Sequence, residues 1–209
     1  SGVGAIVVAL GSMVALLGKS INTSKDFEKA LSGLKAITGA SSDEMRALSS
    51  NAKELGRTTA FTASQVVQLQ TEFSKLGFST SEILDATEAT LSLAAASGTD
   101  LADAATVAGN TIRAFGLDAS ETGMVADVMA KSFTTSALDM DKFRESMKLV
   151  APISKVTNTS LQETSAALAV LADRGVSGSM AGTQLRRVMS DLATKTGLNF
   201  QDSLELTAK

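Results

Sequence analysis

LGFSTSEILDATEATLSLAAASGTDLADAATVAGNTIRAFGLD, residues 76–118, carries the pattern from which the fold is read. Gly77 precedes Ser79-Thr80-Ser81-Glu82, Gly98 precedes Asp100-Leu101-Ala102-Asp103, and Gly116 precedes Asp118-Ala119-Ser120-Glu121. A glycine closes a helix by turning left-handed. A Ser or Asp then opens the next one, its side chain accepting from the free N–H groups of the first turn. Where Glu follows three residues later, the two ends form a capping box. Between these signals the apolar residues keep helical spacing. Leu84, Leu91 and Ala95 share a face with Thr87 and Glu88 alongside, and Val107, Ile112 and Phe115 form a second set. No stretch alternates as a half-buried strand would.

The same punctuation extends outward. Starts stand at Ser41-Ser42-Asp43-Glu44, at Thr62-Ala63-Ser64-Gln65 and at Ser160-Leu161-Gln162-Glu163, and further ends at Gly39, Gly56, Asn158, Gly175 and Gly197. Leu161, Leu168 and Leu171 mark another face, and Pro152 predicts a kink or break in its helix. The fold expected is all-α, a compact bundle of about nine or ten helices of roughly 12 to 18 residues. An open solenoid is the alternative. The bundle is preferred because the period reads as one helix rather than a helix pair, with no side-chain consensus recurring.

Composition agrees with helix and narrows the chemistry. Aromatics are 4% of 209 residues, all of them Phe, so Ala, Leu, Met and Val carry the apolar content. With no His and no Cys, no zinc finger, Cys–His dyad or Ser–His–Asp triad can form. The net charge of -3 and the scarcity of aromatics point away from sequence-specific nucleic-acid binding.

Several side-chain patterns have the residue types of chemical sites. Ser50-Asn51-Ala52-Lys53 is an S-x-x-K and Lys195-Thr196-Gly197 a K-T-G, the elements of a penicillin-binding serine hydrolase. The K-T-G falls at a helix end rather than on a strand, and no S-D-N is present, so the expectation is no enzyme. Asp43/Glu44, Asp100/Asp103 and Asp139/Asp141 pair carboxylates, but in first helical turns, where acids complement the helix dipole. Arg186-Arg187 reads as a solvated helix face. No catalytic residue, cofactor or metal site is expected.

The first 22 residues form a separate predicted segment, with residues 23–209 as the helical core domain. Starting at Ser1, the chain reads as a piece of a longer one. Val3 to Leu17, VGAIVVALGSMVALL, carries no charge, yet it is shorter than the roughly 20 residues that span a bilayer. Gly4, Gly11 and Gly18 recur at heptad spacing, with Ala15 four after Gly11. On a helix these small residues nearly share a face and allow close approach of a second helix. Self-association or membrane contact is expected there, with burial against the chain's own core as the alternative.

A longer series of motifs resembles a known family. It comprises Leu55-Gly56-Arg57-Thr58-Thr59-Ala60-Phe61-Thr62-Ala63, Leu76-Gly77-Phe78-Ser79 and the run from Ala89 to Leu101. Asn110-Thr111-Ile112-Arg113-Ala114-Phe115-Gly116-Leu117, Val150-Ala151-Pro152 and the run from Gly175 to Arg187 complete it. In order and spacing, residues 27 to 196 resemble the conserved core of phage tail tape measure proteins. The resemblance implies a structural tail component that sets tail length during assembly, oligomerises near the tail tip and takes part in genome ejection. It implies trimers or hexamers, with tail-tube and tail-tip or baseplate hub proteins, tail assembly chaperones and, during ejection, the host membrane as partners. The implied location is the virion, inside the tail tube or tip, with the host cytoplasm during assembly. A membrane-active channel-forming protein is the alternative function.

Overall fold

The computed structural model describes residues 24–196, all of whose regular structure is helical. In chain order the helices are α1 (24–38), α2 (Ser42–Thr58), α3 (Ala63–Lys75), α4 (Thr80–Ser97) and α5 (Leu101–Phe115). A short 3₁₀ turn (Ala119–Glu121) leads into α6 (Thr122–Thr135), followed by α7 (Met140–Val156), α8 (Leu161–Asp173) and α9 (Gly178–Thr196). The all-α bundle is as read, and the glycine-striped segment with Gly4, Gly11, Ala15 and Gly18 lies outside the described residues.

The starts form as their sequences require. Reciprocal capping boxes close at Ser41/Glu44, Thr62/Gln65, Ser79/Glu82, Asp118/Glu121 and Ser160/Glu163. In each, the acid or amide of the third helical residue accepts from the cap residue's own N–H, at 2.8 Å for Ser41 and 2.7 Å for Ser79. Each such cap stabilises its helix by about 1 kcal/mol.

Neither Gly56 nor Pro152 ends its helix. Gly56 lies inside α2, where a Cβ would come within 2.5 Å of the Ala63 nitrogen. It is small because α3 doubles back against it, not because the helix stops. Pro152 lies inside α7, which continues to Val156. The ring removes the hydrogen bond to the Lys148 carbonyl, but Pro152 and Lys148 are both exposed, so water can serve the freed oxygen. The buried face of α4 also differs from the expected one. Ile83, Ala86, Thr87, Thr90, Leu91 and Ala94 face inward, while Ala95 is exposed. Thr87 and Thr90 are accepted there because their hydroxyls donate to the carbonyls of Ile83 and Ala86.

The helices are ordered in two rows. In one row α2, α4, α6 and α8 pack side by side, and in the other α3, α5, α7 and α9 do so. Within a row the helices run parallel. Asp103 of α5 and Gly116 at its C-terminal end approach Arg144 and Lys155 of α7, and the α7 residues Ser146 and Ser154 approach Gly178 and Met189 of α9. In the other row Met124, at the start of α6, meets Gln162 at the start of α8. Consecutive helices cross between rows as hairpins.

The structural unit is therefore a helix pair, and the reading of a one-helix period is corrected. First helices of the pairs begin after Ser41, Ser79, Asp118 (which caps the 3₁₀ turn leading into α6) and Ser160; second helices follow Thr62, Asp100, Asp139 and Ser177. The period is about 40 residues, in the range of helical-repeat proteins. A consensus does recur, but only at the joints: a positive-φ residue (Gly39, Gly77, Gly116, Asn158), one residue, the cap, and Glu three further on. Core positions in the same register vary freely in side chain, as at Leu48, Ala86 and Val125, each fully buried. Backbone duties constrain residue type more tightly than apolar filling does.

Candidate functional site

The motif series maps to helix joints and seams rather than to one cavity. Thr59 donates to the Leu55 carbonyl at 2.6 Å, and Gly56 admits Ala63, so the run from Leu55 to Ala63 is the α2–α3 corner. Leu76-Gly77-Phe78-Ser79 meets the run from Asn110 to Leu117 through one side chain. Arg113 Nη2 donates to the Gly77 carbonyl at 2.9 Å, its guanidinium lies 4.3 Å from the centre of the Phe78 ring, and Nη1 stands 3.6 Å from Glu82. Glu82 accepts from the Ser79 N–H, which holds its carboxyl below the usual range; slight burial opposes this, and Arg113 adds to it.

The run from Gly175 to Arg187 meets Val150-Ala151-Pro152 along the α7–α9 seam. A Cβ on Gly182 would sit 2.6 Å from the Ser146 carbonyl oxygen and 3.1 Å from Leu149 Cβ. Ser146 Oγ lies 2.7 Å from the Gly178 oxygen and 2.8 Å from that of Lys142, its one proton serving one carbonyl at a time. Ala181, Leu185 and Met189 fill the seam beneath. Sequence reasoning did not single out this seam. The four-residue spacing of Gly178 and Gly182, a signature of close helix approach, was the signal available.

Two surface clefts flank α7. One, of about 500 Å³, lies between α5 and α7 and is lined by Thr106, Asn110, Thr111, Arg144, Lys148 and Pro152 among others. The other, of about 670 Å³, lies between α7 and α9 and includes Ile153, Val156, Arg186, Arg187 and Asp191. Arg144 is engaged with Asp103 at 2.8 Å and with Asp141, and Lys148 with Glu145 at 2.7 Å.

The candidate chemical residues are not brought together. Ser50 is exposed on α2, and Lys53 Nζ sits 5.4 Å from the Phe27 ring of α1. Lys195 is in the last turn of α9, whose principal neighbours are α7 and α8, whereas α2 packs on α3 and α4. Each carboxylate pair has a helix to serve. Asp43 pairs with Arg46 and Glu44 closes its capping box; Asp100 accepts from Ala102 N–H at 2.8 Å while Asp103 reaches Arg144. Asp139 caps α7, and Asp141 pairs with Arg144. Arg186 and Arg187 are exposed, Arg187 3.9 Å from Asp191. Among the described residues no group of acids converges as a metal site needs, and no helix is long and apolar enough to cross a membrane.

The joints and seams of the described residues define a class: an all-helical protein built of recurring helix pairs. Residues 49–208 match the model of the phage-related minor tail protein family. Over 194 residues the chain is 36% identical to the tape measure protein of Pneumococcus phage Dp-1, covering 93% of this chain and 17% of that protein. It is 31% identical over 211 residues to the probable tape measure protein of Escherichia phage P2, covering all of this chain and 25% of that one. No solved structure matches. The chain belongs to the phage-related minor tail proteins and corresponds to a region of the tape measure type. It spans about a fifth of the length of these relatives.

Proposed function

We propose that this region is a structural segment of a phage tail, part of a tape measure protein that sets tail length during assembly, self-associates near the tail tip and takes part in genome delivery. The observation that carries this reading is the likeness to tape measure proteins over nearly the whole chain. The fold supports it, because the motif residues hold the helices together at joints and seams. In this reading residues 1–22 are the self-association arm, using Gly4, Gly11, Ala15 and Gly18, and residues 23–209 are the helical core. Tail-tube and hub proteins are the partners that the location implies.

Removing this region in frame from the parent gene and imaging the resulting particles tests the role. Loss of tails, or tails of unset length, is the expected result. Normal tails with normal infectivity would sink the proposal. Gly11→Leu tests the arm separately: it is expected to abolish self-association of the 209-residue chain in sedimentation, and an unchanged oligomer would remove that part.

A further inference from the structure

The two rows carry opposite charge on their outer sides. A helix held by its own row and by the other row presents mainly its outer stripe to solvent. Helices α4, α6 and α8 together carry six acids and one base, Lys131. Helices α5, α7 and α9 together carry eight bases and four acids. The exposed stripe of α4 includes Ser81, Asp85, Glu88, Ser92 and Ala95, and that of α6 includes Gly123, Asp127, Lys131 and Thr134. Between their charges both stripes are small-sided, so they form low ridges. Asp85, Glu88 and Asp127 have no ion-pair partner among the described residues.

The second row offers the complement. Its outer side is cut by the two clefts that flank α7, with Arg144 and Lys148 in one and Lys148, Arg186 and Arg187 in the other. Among the described residues Arg186 is exposed without an ion-pair partner, and Arg187 reaches only Asp191, at 3.9 Å. The ridges of α4 and α6 are neighbours in their row, as the two clefts are in theirs. Because one pair repeat lays down both rows, the step from ridge to ridge matches the step from cleft to cleft, about 8–10 Å. A partner of another fold has no such reason to match. A run of phosphates would also meet Glu145 and Asp191, which line the same clefts.

We propose that the chain stacks on a second copy of itself, with the ridges α4 and α6 of one copy seated in the clefts on either side of α7 of the next. Asp85, Glu88 and Asp127 then meet Lys148, Arg186 and Arg187, and the low ridges let the backbones come close. Complementary charge sets the orientation of such a contact. It is face to back, so each stack keeps one acidic and one basic face open and can grow or close into a ring. The contact uses neither residues 1–22 nor the tail role, and it stands whether or not either is correct.

Sedimentation of the intact 209-residue chain over a range of concentrations tests it. Association is expected to weaken at least about tenfold between about 0.05 M and about 0.5 M salt, which contact through an apolar segment would not do. Reversing the ridge charges (Asp85→Lys, Glu88→Lys and Asp127→Lys together) or the cleft charges (Arg186→Glu with Arg187→Glu) is expected to weaken it at least about tenfold in each case. These side chains are all exposed, and circular dichroism checks that helix content is kept. Lys25→Glu with Lys29→Glu on α1 makes the same change in net charge as the cleft variant and is expected to leave association within about twofold. A chain that stays monomeric at about 0.05 M salt would overturn the proposal. So would association that the ridge and cleft variants leave unchanged, or an α1 variant as weak as the cleft variant, since net charge alone would then be acting. A monomeric chain that binds a short DNA duplex would assign the basic row to phosphate and overturn it as well.

Discussion

Helix α7 is flanked by α5 and by α9, and its two seams are built differently. Against α9 the backbones come so close that Gly182 has no room for a Cβ, and Ser146 ties the helices through a carbonyl. Clefts open on both sides of α7, but against α5 the link between helices is a long charged side chain, Arg144 reaching Asp103 at 2.8 Å. Small residues make a seam that tolerates no change in volume. Long charged side chains make one that is held by its ends and accommodates change between them.

Substitutions that exchange these properties test the contrast. Gly182→Leu has the largest expected effect, a loss of about 3 kcal/mol or outright failure of α9 to dock, seen in urea unfolding. Ser146→Ala leaves the Gly178 carbonyl without its partner and is expected to cost about 1 kcal/mol. Arg144→Ala is expected to cost only about 0.5 kcal/mol, and less in high salt, because its carboxylate partners Asp103 and Asp141 are exposed. Asn110→Leu, inside the α5–α7 cleft, is expected to change stability by under about 0.5 kcal/mol. If it costs as much as Gly182→Leu, the seams do not differ as argued.

Acid acts on the helix joints. Glu44 and Glu82 are held below the ordinary glutamate range, in both chiefly by the N–H of the cap residue. Groups with lowered folded values contribute stability that is fully present above the unfolded value, about 4.3, and lost as pH falls through the folded one. Thermal stability is therefore expected to drop as pH falls below about 4.3. Glu82→Gln should flatten that drop, since Gln keeps the acceptor without titrating.

How much of this was legible follows from what each residue does. Caps and joints are local: Ser79 and Glu82 act within one turn, so their spacing announces them. The row partners are not. Nothing near Gly182 in sequence names Ser146, and nothing near Arg113 names Gly77. The pair period was hidden because it shows only in the joint residues, while core positions exchange Leu, Ala and Val at will. Gly56 was misread because a glycine that admits a neighbour looks the same in sequence as one that ends a helix.

The two-row order also bears on how the molecule yields to force. Each pair leans chiefly on its neighbours in the rows. Drawn from one end, such an array gives way pair by pair, not in a single rupture. Each step frees about 40 residues, which reach roughly 130 Å when extended. The tight α7–α9 seam is then the catch that resists longest at that end, and the looser α5–α7 seam is where the next step begins.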